Sequence, residues 1–187
     1  MQKRLIDIAR PTIRFYEDLF ETFPFEEFNI IQVNAFGYGQ APPGMMIITN
    51  EAFNGKVDDF SALFTKGINQ RFAHEIAHQY WGHLVKMATP EEQWITESFA
   101  NYASALAMRS MKNQGTSAFE GMLSRWRNQA SAYASAGTIP FANRLRWIEN
   151  PRGSFLARTS LLYEKGALIL EALYKEMGDK NFALFMK

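Results

Sequence analysis

At 187 residues, with 47% hydrophobic and 14% aromatic side chains, the chain can bury a sizeable core as one globular domain. Its 20 basic residues stand against 19 acidic ones, a net charge of +1, so no charge field draws nucleic acid or an anionic membrane surface. Cys is absent, which excludes a disulfide framework, and no apolar run is long enough to span a bilayer.

The N-terminus, MQKRLIDIARP, lacks the apolar core of a signal peptide. From Leu5 to Phe20, the apolar residues Leu5, Ile8, Ile13, Leu19 and Phe20 recur at roughly helical spacing, with Pro11 permitting a start or a kink. Asn29 to Phe36 alternates, with Ile31, Val33 and Ala35 on one face and Gln32 and Asn34 on the other, and predicts a strand. Gly37-Tyr-Gly-Gln-Ala-Pro-Pro-Gly44 reads as a turn by composition, and Met45 to Thr49 as a second strand. Ser61 to Val85 is helical in pattern. Phe72, Ile76 and Tyr80 form one stripe and His74 and His78 lie nearly opposite, so this helix is expected to be buried on both sides.

Within that helix His74-Glu75-Ile76-Ala77-His78 has the form His-Glu-x-x-His, and two of the three histidines in the chain fall in it. Residues four apart share a helix face, so both imidazoles can hold one zinc ion while Glu75, about 100° away, serves as a general base. The plainer alternative is a pair of surface or core histidines. A catalytic zinc takes three protein ligands and keeps a fourth position for water. The pattern His-Glu-x-x-His-x-x-Gly-x-x-His is excluded, because positions 81 and 84 hold Trp81 and Leu84. The best candidate for a third ligand is Glu97, in Trp94-Ile-Thr-Glu-Ser-Phe-Ala-Asn-Tyr102.

Thr89-Pro-Glu-Glu92 is a capping box with Pro at the first helical position, starting the Glu97 helix or a short turn into it. Ser117-Ala-Phe-Glu120 is a second capping box, opening a helix with Phe119, Met122, Leu123, Trp126 and Ala130 on its apolar face. Arg125 and Arg127 beside Trp126 read as a solvated surface. The last helix is predicted from about Thr159 to Met177, ending at Gly178, a natural C′ residue.

HEIAHQYWGH followed by WITESFANY resembles the gluzincin metallopeptidases of the membrane alanyl aminopeptidase and leukotriene hydrolase family. That family is written His-Glu-x-x-His-x18-Glu, with a second half like Trp-Leu-Asn-Glu-Gly-Phe-Ala. Tyr163-Glu-Lys-Gly-Ala167 matches its Tyr-x-Lys-Gly segment. The resemblance implies an α+β, mainly α, thermolysin-like peptidase domain spanning 1–187, with a sheet-bearing part over 1–58 and a helical part over 59–187. It implies one catalytic domain of a longer protein, with flanking domains on both sides. It also implies one Zn2+ per chain on His74, His78 and Glu97, Glu75 as the base and Tyr163 as donor to the oxyanion, acting on a peptide substrate. Gln40, Ala41, Pro42, Pro43 and Gly44 would line the loop and edge strand that hold the substrate backbone.

Three positions depart from the pattern. The family's Gly-x-Met-Glu-Asn, whose Glu binds the substrate amine, is here Gly39-Gln-Ala-Pro-Pro-Gly44, leaving Gln40 as the nearby polar side chain and Glu51 as a more distant carboxylate. Ser104 stands where a Glu often supports a zinc histidine. His83, usually Asn, lies about 140° around the helix from His78 and is expected not to be a ligand. Three functions are therefore compatible: an aminopeptidase-type zinc peptidase, a zinc peptidase or hydrolase without need of a free amine, and a non-catalytic zinc-bearing module.

Overall fold

The N-terminal helix α1 (Gln2–Phe20) runs through Pro11 without breaking. The proline lacks the N–H that its turn would use, and Thr12 Oγ1 donates to the Ile8 carbonyl at 2.9 Å beside it. One turn on, the fully buried Tyr16 donates its hydroxyl to the Ala73 carbonyl at 2.8 Å, fastening α1 to the helix that bears the histidines. The computed structural model describes residues 2–35, 39–49, 68–111, 115–140, 142, 145 and 151–187.

A three-stranded sheet follows, formed by β1 (Asn29–Val33), β2 (Gly39–Gln40) and β3 (Met45–Thr49) in the order β1-β3-β2. β1 runs parallel to β3, from Asn29 opposite Met45 to Val33 opposite Thr49. β2 runs antiparallel on the other side, with Gly39 opposite Ile48 and Gln40 opposite Ile47. Two sequence expectations are corrected. The first strand ends at Val33, and residues 36–38 lie outside the described residues. The Gly/Pro turn contains β2, which is too short for a two-residue alternation to reveal and is held by its partner strand instead. Met46 and Ile48 of β3 pack on Phe72, all three fully buried.

The helical part comprises α2 (Ile68–Ala77), a 3₁₀ turn (Pro90–Glu92), α3 (Gln93–Ser110), α4 (Gly115–Ala132), α5 (Pro151–Thr159), a π-turn (Ser160–Lys165) and α6 (Gly166–Phe185). The buried stripe Phe72, Ile76 and Tyr80 falls as the periodicity predicts. The extent does not: α2 stops at Ala77 rather than Val85, and residues 50–67 lie outside the described residues. Beyond His78 the amides of Gln79 and Tyr80 bond three residues back, to Ile76 and Ala77, and Gly82 at φ 142° turns the chain away.

The capping box at Thr89 leads into α3 through the 3₁₀ turn, with the Glu92 carboxylate accepting from the Ala88 amide at 2.6 Å and the Thr89 amide at 3.3 Å. The second box does not cap, because α4 already begins at Gly115, where a Cβ would overlap the Arg109 carbonyl. Its apolar face is as predicted, with Phe119, Met122, Leu123 and Trp126 buried, while Arg127 is exposed and Arg125 reaches Gln70 Oε1 of α2 at 3.1 Å. The C-terminal helix starts earlier than Thr159 and widens into the π-turn. It does leave helical geometry at Gly178 (φ 73°, ψ 167°), then resumes to Phe185 so that Phe182 packs on Tyr102. The architecture is α+β and mainly α, with the sheet inside 1–58 and α2 onward inside 59–187.

Candidate active site

α3 is the axis of the site. Its first turns face the segment that follows α2, where Trp81 and Phe99 meet tilted by 37° with ring centroids 4.4 Å apart and Phe99 is buried. That contact sets Glu97 opposite His74 and His78. The imidazoles cross at 83° with centroids 4.6 Å apart, and their Nε2 atoms stand 3.1 Å from each other. Glu97 Oε2 lies 3.4 Å from His74 Nε2 and 3.5 Å from His78 Nε2. Ligands about 2.0–2.1 Å from a tetrahedral zinc stand about 3.3–3.4 Å apart, so the three donors have the spacing of one face of such a site. Glu97 Oε2 is buried with no hydrogen-bond partner, which is the condition of an atom whose partner is an ion. His74, His78 and Glu97 are the one group of this kind among the described residues.

The surroundings favour positive charge between these donors. Burial alone would lower the His78 pKa, but Glu97, then Glu75 and the Trp81 carbonyl, raise it to about 9. Burial alone would raise that of Glu97, yet His78 and His74 hold it well below the usual carboxylate range. His78 Nδ1 sits 3.0 Å from the Trp81 carbonyl and donates to it, so that Nε2 is the nitrogen turned toward Glu97.

Glu75 is 6% exposed and lies under β2: a Cβ on Gly39 would collide with its carboxylate. Gly39 is what allows the strand to cross there. Tyr163 enters from the π-turn, its ring centroid 5.7 Å from that of His74. Burial, then the charge and hydrogen bonding of Glu97, then Glu75, push its phenol well above 10, against the opposing Arg158. The phenol therefore stays protonated at neutral pH.

The loop after β2 is gripped by the segment following His78. Gln79, fully buried, accepts from the Gly44 amide at 2.9 Å and donates to the Pro42 and Met45 carbonyls at 3.2 and 3.1 Å. His83 lies outside the donor triangle and holds the Ala41 carbonyl at 2.6 Å through Nε2. Gln40 is exposed, and Ser104 donates to the Asn101 carbonyl at 2.6 Å. Gln40, Ala41 and His83 border a cleft of about 520 Å³ in which Gly39, Gln40 and Ala41 face His74, Glu97 and Tyr163, while Pro42, Pro43, Gly44 and Ser104 are not in its lining. Its only carboxylates among the described residues are Glu75 and Glu97; Glu51 lies outside the described residues. Gln79, Ser98 and Asn101 carry no sequence signal, since each acts through a partner more than 30 residues away, as in the Gly44–Gln79 and Ser98–Leu162 pairs at separations of 35 and 64.

The family model described as the peptidase family M1 domain matches residues 5–187. A probable aminopeptidase 1 of Saccharolobus solfataricus is 28% identical over 179 residues, covering 95% of the chain and 22% of the relative. Tricorn protease-interacting factor F2 of Thermoplasma volcanium is 28% identical over 95% of the chain and 22% of its own length. Aminopeptidase N of Lactococcus lactis is 26% identical, over 97% and 21%. An M1 zinc metallopeptidase from Deinococcus radiodurans superposes with a TM-score of 0.68 at 21% identity, covering 96% of the chain and 35% of that structure. The chain thus spans about a fifth of the length of these curated relatives.

Proposed function

The chain belongs to peptidase family M1, and on that footing we propose that it carries the catalytic centre of a zinc-dependent peptidase of aminopeptidase type. The observation that carries this reading is the convergence of His74, His78 and Glu97 into one triangle with Glu75 and Tyr163 on the same cleft. The two imidazoles and the Glu97 carboxylate would hold the zinc, leaving one position open. Zinc bound in this way supplies a Lewis acid and lowers the pKa of its water toward about 7.

The side chains do the rest. Glu75, off the ligand face of the helix and backed by Gly39, accepts the proton of the attacking water and passes it to the leaving amine. Tyr163, kept protonated, donates to the oxyanion that develops on the scissile carbonyl. The edge of β2, unpaired among the described residues, and the loop from Gln40 through Ala41, Pro42 and Pro43 to Gly44 take the substrate backbone, and Gln79 and His83 keep that loop in place.

A second reading has its own support. No carboxylate of the loop faces the cleft where a substrate ammonium would sit, so a peptidase or hydrolase indifferent to a free amino terminus fits the same centre. A cleavage map of the full-length protein on peptide libraries with free and blocked N-termini, before and after zinc removal by chelation, tests both. Hydrolysis that survives complete zinc removal would overturn the shared mechanism.

A further inference from the structure

The catalytic tyrosine stands on a rare piece of backbone. A π-turn adds one residue to the helical register, and removing that residue rotates one flank against the other by about 100°. Both flanks are anchored here, with Ala157 buried before the π-turn and Ala167 and Leu170 buried after it. The direction of Tyr163 therefore depends on the turn keeping its wide form.

α3 holds it from outside. Ser98 Oγ donates to the Leu162 carbonyl at 2.7 Å, and Asn101 Nδ2 donates to the Tyr163 carbonyl at 2.8 Å. Ser98 and Asn101 are 0% and 1% exposed, so water does not compete for either bond. Gly166 supplies the clearance, because a Cβ there would overlap Ser98 Oγ. Asn101 Oδ1 is buried without a partner, a cost that a residue placed for packing alone would not carry. Ser98 and Asn101 follow Glu97 by one and four residues on the same helix. One rigid element thus fixes both a corner of the donor triangle and the turn that aims the phenol.

We infer that Ser98 and Asn101 are positioning residues for Tyr163, holding the π-turn in register so that its phenol meets the developing oxyanion. This rests on the role given to Tyr163 above. The test uses the full-length zinc-loaded enzyme with Asn101→Leu and Ser98→Ala, each made alone and together with Tyr163→Phe, and follows kcat, KM, zinc content and amide hydrogen exchange over residues 160–165. With either substitution alone, kcat falls on the order of ten- to a hundredfold while KM and zinc content hold, as misplacement of a catalytic group predicts. In the Tyr163→Phe background the same substitutions cost nothing further, and exchange over 160–165 quickens in both single variants. An equal fall of kcat in both backgrounds, a rise in KM alone, or unchanged exchange would overturn the inference. A Tyr163→Phe enzyme with the parent's kcat would instead overturn the role of the tyrosine itself. Should Asn101→Leu fail to fold, Ser98→Ala, which removes one bond and leaves the packing, decides by the same readings.

Discussion

Glu97 is one corner of a triangle whose sides are 3.1, 3.4 and 3.5 Å, and its loss leaves two imidazoles with no anion between them. Glu97→Ala, His74→Ala and His78→Ala should each abolish the one zinc per chain, whereas His83→Ala should leave metal content unchanged because His83 serves the Ala41 carbonyl. Elemental analysis of the purified variants reads this directly, and full zinc in Glu97→Ala would remove that ligand. Glu75→Gln keeps the shape beneath Gly39 but cannot take a proton. Zinc should stay while turnover drops by about 10² or more. Tyr163→Phe should lower kcat more than it raises KM, its bond forming chiefly in the transition state. Since burial and Glu97 raise the phenol well above 10, the pH–rate profile should show no alkaline limb from Tyr163 below about pH 10.

At the level of elements, the site depends on how closely α6 and the π-turn approach α3. Gly166 is the contact point: it is buried, and any Cβ meets Ser98. Gly166→Ala should destabilise the protein by about 1–3 kcal/mol through overpacking. Combining it with Ser98→Gly, which clears the opposing side chain, should recover much of the loss in a thermal melt. Failure of the pair to recover would mean that the overlap is not what makes Gly166 necessary. The motif Tyr163-Glu-Lys-Gly166 thus divides its labour: the tyrosine faces the cleft, Lys165 Nζ bonds the Gly137 carbonyl at 2.9 Å, and the glycine lets two helices meet.

For the whole molecule the open matter is what the cleft asks of a substrate's amino end. A carboxylate facing an ammonium makes a charge-assisted hydrogen bond of about 1.5–3 kcal/mol. That corresponds to roughly a tenfold to hundredfold preference for free over blocked termini, 1.36 kcal/mol being tenfold. Ala41 makes no such bond, its carbonyl is taken by His83, and Gln40 offers a neutral amide. The full-length enzyme should therefore discriminate weakly between a peptide and its N-acetylated form when kcat/KM is compared. A strong preference that collapses in Glu51→Gln would assign the amine to that residue. The same preference surviving the change would place the anchor elsewhere in the protein.

Local spacing carries two of the three candidate zinc ligands, because His74 and His78 are four apart on one helix and need no distant partner to share a face. The stripe of Phe72, Ile76 and Tyr80, the apolar face of α4 and the break at Gly178 are likewise local, and each stands where the sequence predicts it. Three features were decided only by tertiary packing. β2 exists because β3 offers it hydrogen bonds, α2 ends at Ala77 because Gln79 turns to grip a loop 35 residues upstream of it, and the π-turn is held by side chains 62 and 64 residues away. A hydrogen bond between residues so far apart leaves no periodic trace in the chain. Its donor and acceptor meet only once the hydrophobic faces of α2, α3 and α6 have packed, and until then each is bonded to water.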